Sequence, residues 1–269
     1  MRLKPRSGLR CEGGGILHFY VIKLRWLIAM ATVIVCIIIG VCVDIAIPTF
    51  SVNGREIPIY SVERDDNKIA LTFDCAWNDD DLGEILDILD DYNAKATFFI
   101  MGEWAQRYPD SVIKIYKRGH EIGTHSMAHD DYTKMSSEAI LQDMYACEDI
   151  IFNITTNRPR LIRAPSGAYN DTVVKTCEEN GRIYIKWSVD GIDYEDDATE
   201  ESIYSRVISK TGAGDIILLH NGTEHTADVL PRILETLSEK YELVKVSSLI
   251  YLNDFTIDGN GRQHKNLSD

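Results

Sequence analysis

Two rhythms of apolar and polar positions take turns along this 269-residue chain. Residues 69–73 read Ile-Ala-Leu-Thr-Phe, apolar enough for a strand covered on both faces. Leu82, Ile85, Leu86 and Leu89 then recur at helical spacing. The exchange repeats with a strand at 96–101, a helix at 111–117 stopped by Gly119, a short strand at 121–123 and an amphipathic helix at 136–152. It continues with a strand stub at 161–163, a helix at 171–179 closed by Asn180-Gly181, a strand at 183–189 and a helix at 199–210. An almost wholly apolar strand at 215–219, a helix at 229–240 and a last strand at 243–246 complete the series. Repeating β-α units over residues 68–253 predict an α/β fold built on a parallel sheet or a (β/α) barrel, with a distorted (β/α) barrel of about seven parallel strands as the first expectation.

A different pattern precedes these units. Residues 27–43 form an uncharged apolar run, interrupted at Asp44 and resumed by Ile45-Ala46-Ile47. At helical rise the run spans about 26 Å and the extended run about 30 Å, enough to cross a bilayer. Arg2, Lys4, Arg6, Arg10, Lys23 and Arg25 all lie before it, against the single acid Glu12. That asymmetry predicts a basic cytoplasmic tail at 1–23, a transmembrane anchor at 24–47 and a single-pass cell-membrane protein whose body lies outside. A cleaved signal peptide is the rival, but its apolar region would be shorter and end in an A-x-A-like site, which is missing. Residues 48–67, with Pro48, Asn53-Gly54 and Pro58, read as a stalk, and 254–269 as a loose polar tail.

Charge narrows the partners. The net charge is −14, and since the first thirty residues are basic the body is more acidic still. An acidic body argues against nucleic acid, whose phosphates need basic stripes. The six cysteines (Cys11, Cys36, Cys42, Cys75, Cys147, Cys177) show no CxxC pairing. Cys147 and Cys177 fall on helix-like stretches and read as buried thiols, with a bridge between them as the alternative.

The candidate chemistry gathers at strand ends, where barrels of this kind place reactive groups. Asp74 follows the first strand, His125 and His129 follow the 121–123 strand, and Arg163 closes its stub. Asp190 follows 183–189 and His220 follows 215–219. Two imidazoles four residues apart, with an acid presented nearby, are what a metal-activated water requires.

These segments resemble the polysaccharide deacetylases of carbohydrate esterase family four, the NodB-homology group. Leu71-Thr72-Phe73-Asp74 is similar to the family's TFDD opening and Thr124-His125-Ser126-Met127-Ala128-His129 to its H-[ST]-x-x-H motif. Arg163-Ala164-Pro165-Ser166-Gly167 resembles R-x-P-x-G, Ile217-Leu218-Leu219-His220 the closing L-x-H, and Asp190-Gly191-Ile192-Asp193-Tyr194 the D-x-x-D-W segment with Tyr194 for Trp. The lead-in at 55–62 and Ala76-Trp77 look most like the membrane-anchored, sporulation-associated subgroup of Gram-positive bacteria.

The resemblance implies a divalent metal, Zn²⁺ first and Co²⁺ second, held by His125 and His129. It implies Asp74 as general base, His220 as general acid, Arg163 and Asp190 as the charges that tune them, and the backbone N–H of Ser166 as an oxyanion donor. Asp193 can exchange roles with Asp190. Trp77 and Trp187 read equally as walls of a sugar site or as core. The departure is Cys75, where the family's second acid would be the third metal ligand. Asp80 is the leading substitute. Asp79 and the Cys75 thiolate are alternatives, and Asp81 is assigned to capping the helix that follows, with Glu84 at its third position. The expected function is removal of N-acetyl groups from cell-wall peptidoglycan, on N-acetylglucosamine or N-acetylmuramic acid. Chitin-oligomer deacetylation and a catalytically degenerate glycan-binding role are the alternatives.

Overall fold

The computed structural model describes residues 51–52 and 55–266. The expected basic tail and anchor lie outside the described residues. No helix among the described residues is long and apolar enough to cross a membrane.

The central sheet is a curled, parallel half-barrel. Its strands in chain order, after β1 (Ser61–Val62) of a separate small sheet, are β2 (Lys68–Cys75), β3 (Thr97–Ile100), β4 (Glu121–Thr124), β5 (Leu161–Ile162), β6 (Ile183–Tyr184), β7 (Val189–Asp190), β8 (Ile216–His220) and β9 (Glu242–Leu243). They are ordered β6-β5-β4-β3-β2-β8-β7, with β9 beside the start of β2. Helices α1 (Leu82–Asp91), α2 (Gly102–Arg107), α3 (Pro109–Lys117), α4 (Ser137–Thr155), α5 (Asp171–Glu179), α6 (Glu200–Lys210) and α7 (Thr226–Ser238) cover the outside. The expected seven-stranded α/β architecture is therefore present, and α2 is an element the sequence pattern did not announce.

Parity along β2 decides which side chains can reach the interior. Ile69, Leu71, Phe73 and Cys75 all join the core that packs under the helices. Thr72 and Asp74 face the other way, where both meet Arg163. The same alternation on β8 sends Ile217 and Leu219 to the core, while Leu218 and His220 line the interior cavity. Asp74 and His220 are paired in register across the β2–β8 ladder.

Three expectations need correction. The strand expected at 183–189 is two short strands, β6 and β7, at opposite edges of the sheet. Residues 185–188 cross the gap between those edges, because the sheet curls without closing. The presumed stalk is part of the domain from Glu56 onward: Ile59 and Val62 are buried, and Ile59 donates its N–H to Tyr184 at 3.0 Å. The tail is not loose either. Residues Phe255–Ile257 (β10) and Arg262–Lys265 (β11) form an antiparallel pair, and β11 runs parallel to β1. Phe255 and Ile257 fill a pocket of the core beside Val246 and Leu249, a burial that the polar residues between them concealed in the sequence. Cys147 and Cys177 are free, buried thiols, as the helical reading anticipated.

Phe255→Ala is expected to lower stability by about 3 kcal/mol, the usual consequence of emptying a buried aromatic site. Denaturant unfolding measures it, and a change near zero would return residues 254–269 to the status of a loose tail.

Candidate active site

Residues at and just beyond the ends of β2, β3, β4, β5 and β8, with Trp187 and Tyr194 flanking β7, line one cavity of about 440 Å³, and Arg163 and Asp190 stand outside that lining. Asp74, His125, His129, Ser166, Trp187 and His220 are among its lining residues.

Asp74 and Arg163 form the deepest pair. The Arg163 guanidinium has no exposed surface, and its Nη1 donates to Asp74 Oδ1 at 2.7 Å and to the Thr72 hydroxyl at 2.9 Å. Nη2 donates to the Lys186 carbonyl at 3.0 Å, and the ring of Phe99 lies 4.1 Å below the guanidinium carbon. Burial opposes ionisation of Asp74, yet the charge and hydrogen bond of Arg163, with the charge of His220, outweigh it and hold its pKa below the ordinary carboxylate value.

His125 and His129 are set by a tight turn. Ser126 and His129 are both left-handed, with φ of 62° and 65°, and the His129 N–H donates to the Ser126 hydroxyl at 2.8 Å. The first N–H groups of α2 bind this turn from outside, Gly102 to Ser126 O and Glu103 to Met127 O, each at 2.9 Å. Non-glycine residues in left-handed backbone persist only where their surroundings hold them, and they cluster at functional sites. The two rings meet edge to face at 5.2 Å.

His125 Nδ1 lies 2.9 Å from the Arg163 carbonyl, which can only accept, so the ring hydrogen sits on Nδ1 and Nε2 keeps its lone pair. Burial lowers the His125 pKa to about 4, which keeps the ring neutral. Nε2 faces Asp74 Oδ2 at 3.6 Å. A neutral imidazole oriented by a backbone carbonyl is the arrangement metal-binding histidines use, so His125 fits a metal, and the His129 ring stands beside it on the cavity wall.

The expected third ligand does not. Asp80 is exposed, is absent from the cavity lining, and sits on a turn where its N–H binds the Asn78 side chain at 3.1 Å. Asp79 accepts from Ser111 at 2.5 Å. Cys75 is fully buried on the helix side of β2, and burial pushes its thiol well above the usual range, away from the thiolate a metal needs. Asp81 occupies the cap position of α1 without capping it. Its carboxylate instead accepts from the Gly222 N–H at 2.8 and 2.9 Å, tying the loop after β8 to the loop after β2. Among the described residues, the grouping of three potential ligands is Glu200, His225 and Asp228, apart from the cavity lining.

His220 is oriented by Asp193 and not by Asp190. Asp193 accepts from His220 Nδ1 and from the His220 N–H, both at 2.7 Å. Burial disfavours the charged ring, but the Asp193 hydrogen bond and charge more than offset it and raise the His220 pKa. Asp190 accepts from the Trp187 indole at 3.1 Å and from the Ile192 N–H at 2.9 Å, so it braces a wall of the cavity. Ile192, at φ 53°, reverses the chain and returns Asp193 to β8. Sequence reasoning also missed Thr226, which donates to Asp193 at 2.5 Å, and no motif would have signalled it. Trp77 and Tyr194, both largely exposed, stand 5.1 and 5.2 Å from the His220 ring, and with Trp187 they line the cavity.

The polysaccharide deacetylase family model matches residues 61–185. The chain is 35% identical to the peptidoglycan-N-acetylmuramic acid deacetylase PdaC of Bacillus subtilis, over 70% of this chain and 40% of that protein. It is 36% identical to a peptidoglycan-N-acetylglucosamine deacetylase of Bacillus cereus, over 71% of this chain and 92% of that protein. It thus spans less than half of the first relative and nearly all of the second. Among solved structures, a wild-type CE4 family pseudoenzyme from Bacillus anthracis superposes with a TM-score of 0.69 at 28% identity, over 78% of this chain and 73% of that one.

Two outcomes are expected. Cys75→Ala will leave metal content unchanged by elemental analysis, because the thiol faces the core. A lost equivalent would make Cys75 a ligand. Asp193→Asn removes the group that raises the His220 pKa, so the alkaline limb of the pH–rate profile will move to lower pH. Asp190→Asn will move it less, and the reverse ranking would restore Asp190 to the orienting role.

Proposed function

Because the chain belongs to the polysaccharide deacetylase family, we propose that it hydrolyses N-acetyl groups of peptidoglycan sugars, giving a free amine and acetate. The observation that carries this is the meeting of an ionised Asp74, a neutral His125 with His129 beside it, and an Asp193-held His220 in one cavity.

A divalent metal held by His125 and His129, Zn²⁺ by first choice, would supply Lewis acidity to the acetyl carbonyl and to water. The remaining work falls to the chain. Asp74 Oδ2 takes the proton of the attacking water, since Oδ1 is committed to Arg163. Ser166 lines the cavity, and among the described residues its N–H has no acceptor, so it can bind the developing oxyanion. His220 gives the proton on Nε2 to the departing nitrogen while Nδ1–H stays with Asp193. Trp77, Tyr194 and Trp187 offer ring faces of the kind sugars stack on.

The apolar run within 24–47, read as an anchor with basic residues before it, supports an activity outside the cell membrane, where peptidoglycan lies. A non-catalytic glycan-binding role is the second reading. It is favoured by the lack, among the described residues, of a third ligand beside His125 and His129, and by the likeness to a pseudoenzyme.

Acetate release from peptidoglycan fragments with added Zn²⁺ or Co²⁺ is the deciding measurement. Asp74→Asn is expected to lower kcat by about 100-fold or more. Glycan binding that persists without metal and without acetate release would select the second reading.

A further inference from the structure

One residue ties the seam of the half-barrel to the reactive groups on both sides of it. Lys186 lies in the segment that crosses from β6 to β7. Its N–H donates to the Ile59 carbonyl at 2.7 Å, which fastens the lead-in segment over the gap. Its carbonyl accepts from Arg163 Nη2 at 3.0 Å, so it helps hold the arginine that holds Asp74. Its Nζ donates to the Gly167 carbonyl at 2.8 Å.

That last contact reaches the oxyanion loop. Ser166 and Gly167 are consecutive left-handed residues, with φ of 54° and 59°. A Cβ on Gly167 would lie 2.5 Å from the Trp187 ring and 2.7 Å from Lys186 Nζ, so the loop is pressed against both side chains. The rings of Trp187, Tyr60 and Tyr169 surround the ammonium at 4.7, 5.1 and 5.7 Å. A half-buried cation held by three ring faces has few other positions to adopt. It is thus a fixed strut and not a surface lysine free to swing. Burial and the Arg163 charge lower its pKa, with Asp190 opposing them.

We propose that Lys186 is a positioning residue that sets the Ser166 N–H in register with the Arg163–Asp74 pair, its side chain fixing the former and its main chain the latter. The catalytic consequence rests on the deacetylase reading. The structural consequence, a loop held in left-handed backbone by Nζ, does not.

Lys186→Met keeps the stem and removes the donor, and Lys186→Arg returns a donor. The first readout is hydrogen exchange at the Gly167 and Ala168 amides, which bond to Ala164 and Pro165 at 2.9 and 3.0 Å. Exchange is expected to quicken about tenfold in the Met variant and to recover in the Arg variant. The second readout is steady-state kinetics, where Lys186→Met is expected to lower kcat by about 10–100-fold with little change in KM. Unchanged exchange in the Met variant overturns the proposal, as does a raised KM at constant kcat, which would make Lys186 a substrate contact. Equal losses in both variants with a lowered Tm overturn it in favour of a merely structural role. Wild-type protein that releases no acetate would defeat the deacetylase reading instead, and the exchange comparison would still decide whether Lys186 holds the loop.

Discussion

Burying Arg163 beside Asp74 sets the terms for everything around it. A guanidinium with no exposed surface must find its hydrogen bonds within the protein, and here they come from Thr72, Asp74, Ile185 and Lys186. Removing one partner of such a pair leaves an uncompensated buried charge, at a cost of about 3–5 kcal/mol. The acceptors belong to β2 and to the crossing segment after β6, so the ion pair also staples the two sides of the curled sheet. A reactive carboxylate held in this way stays ionised and fixed, and His125 can face it without competing for the same oxygen.

Much of this was legible because strand ends carry it. Asp74, His125, His129, Arg163 and His220 each follow an apolar run, and parallel β-α units bring such ends to one rim. Their convergence follows from topology. The third ligand is another matter. Period-two alternation from Asp74 already assigns Cys75 to the opposite face, a signal present in the sequence that a motif-based reading overlooks. Asp80 looked available because loop acids always do, and a linear sequence does not show which way a turn points its carboxylates.

Asp190 and Asp193 show the other kind of loss. Asp190 ends β7 and Asp193 follows it, and either can serve His220 on spacing alone. The left-handed Ile192 between them decides the matter, since it sends Asp190 towards Trp187 and Asp193 towards His220. An isoleucine in that conformation is unfavourable on intrinsic grounds, so it is imposed by the tertiary structure. The split of residues 183–189 has the same origin: apolar content marks a strand but not the point at which a curling sheet stops pairing.

The seam carries a consequence for how the molecule comes into being. Ile59 precedes every strand of the central sheet, yet its partners, Tyr184 and Lys186, are synthesised long after it. Joining segments so distant in sequence is entropically slow and comes late in folding. A chain arrested before that closure would hold the reactive strand ends side by side but lack the Ile59 bond to Lys186, whose carbonyl braces Arg163. Activity would then appear only in molecules that have completed the fold.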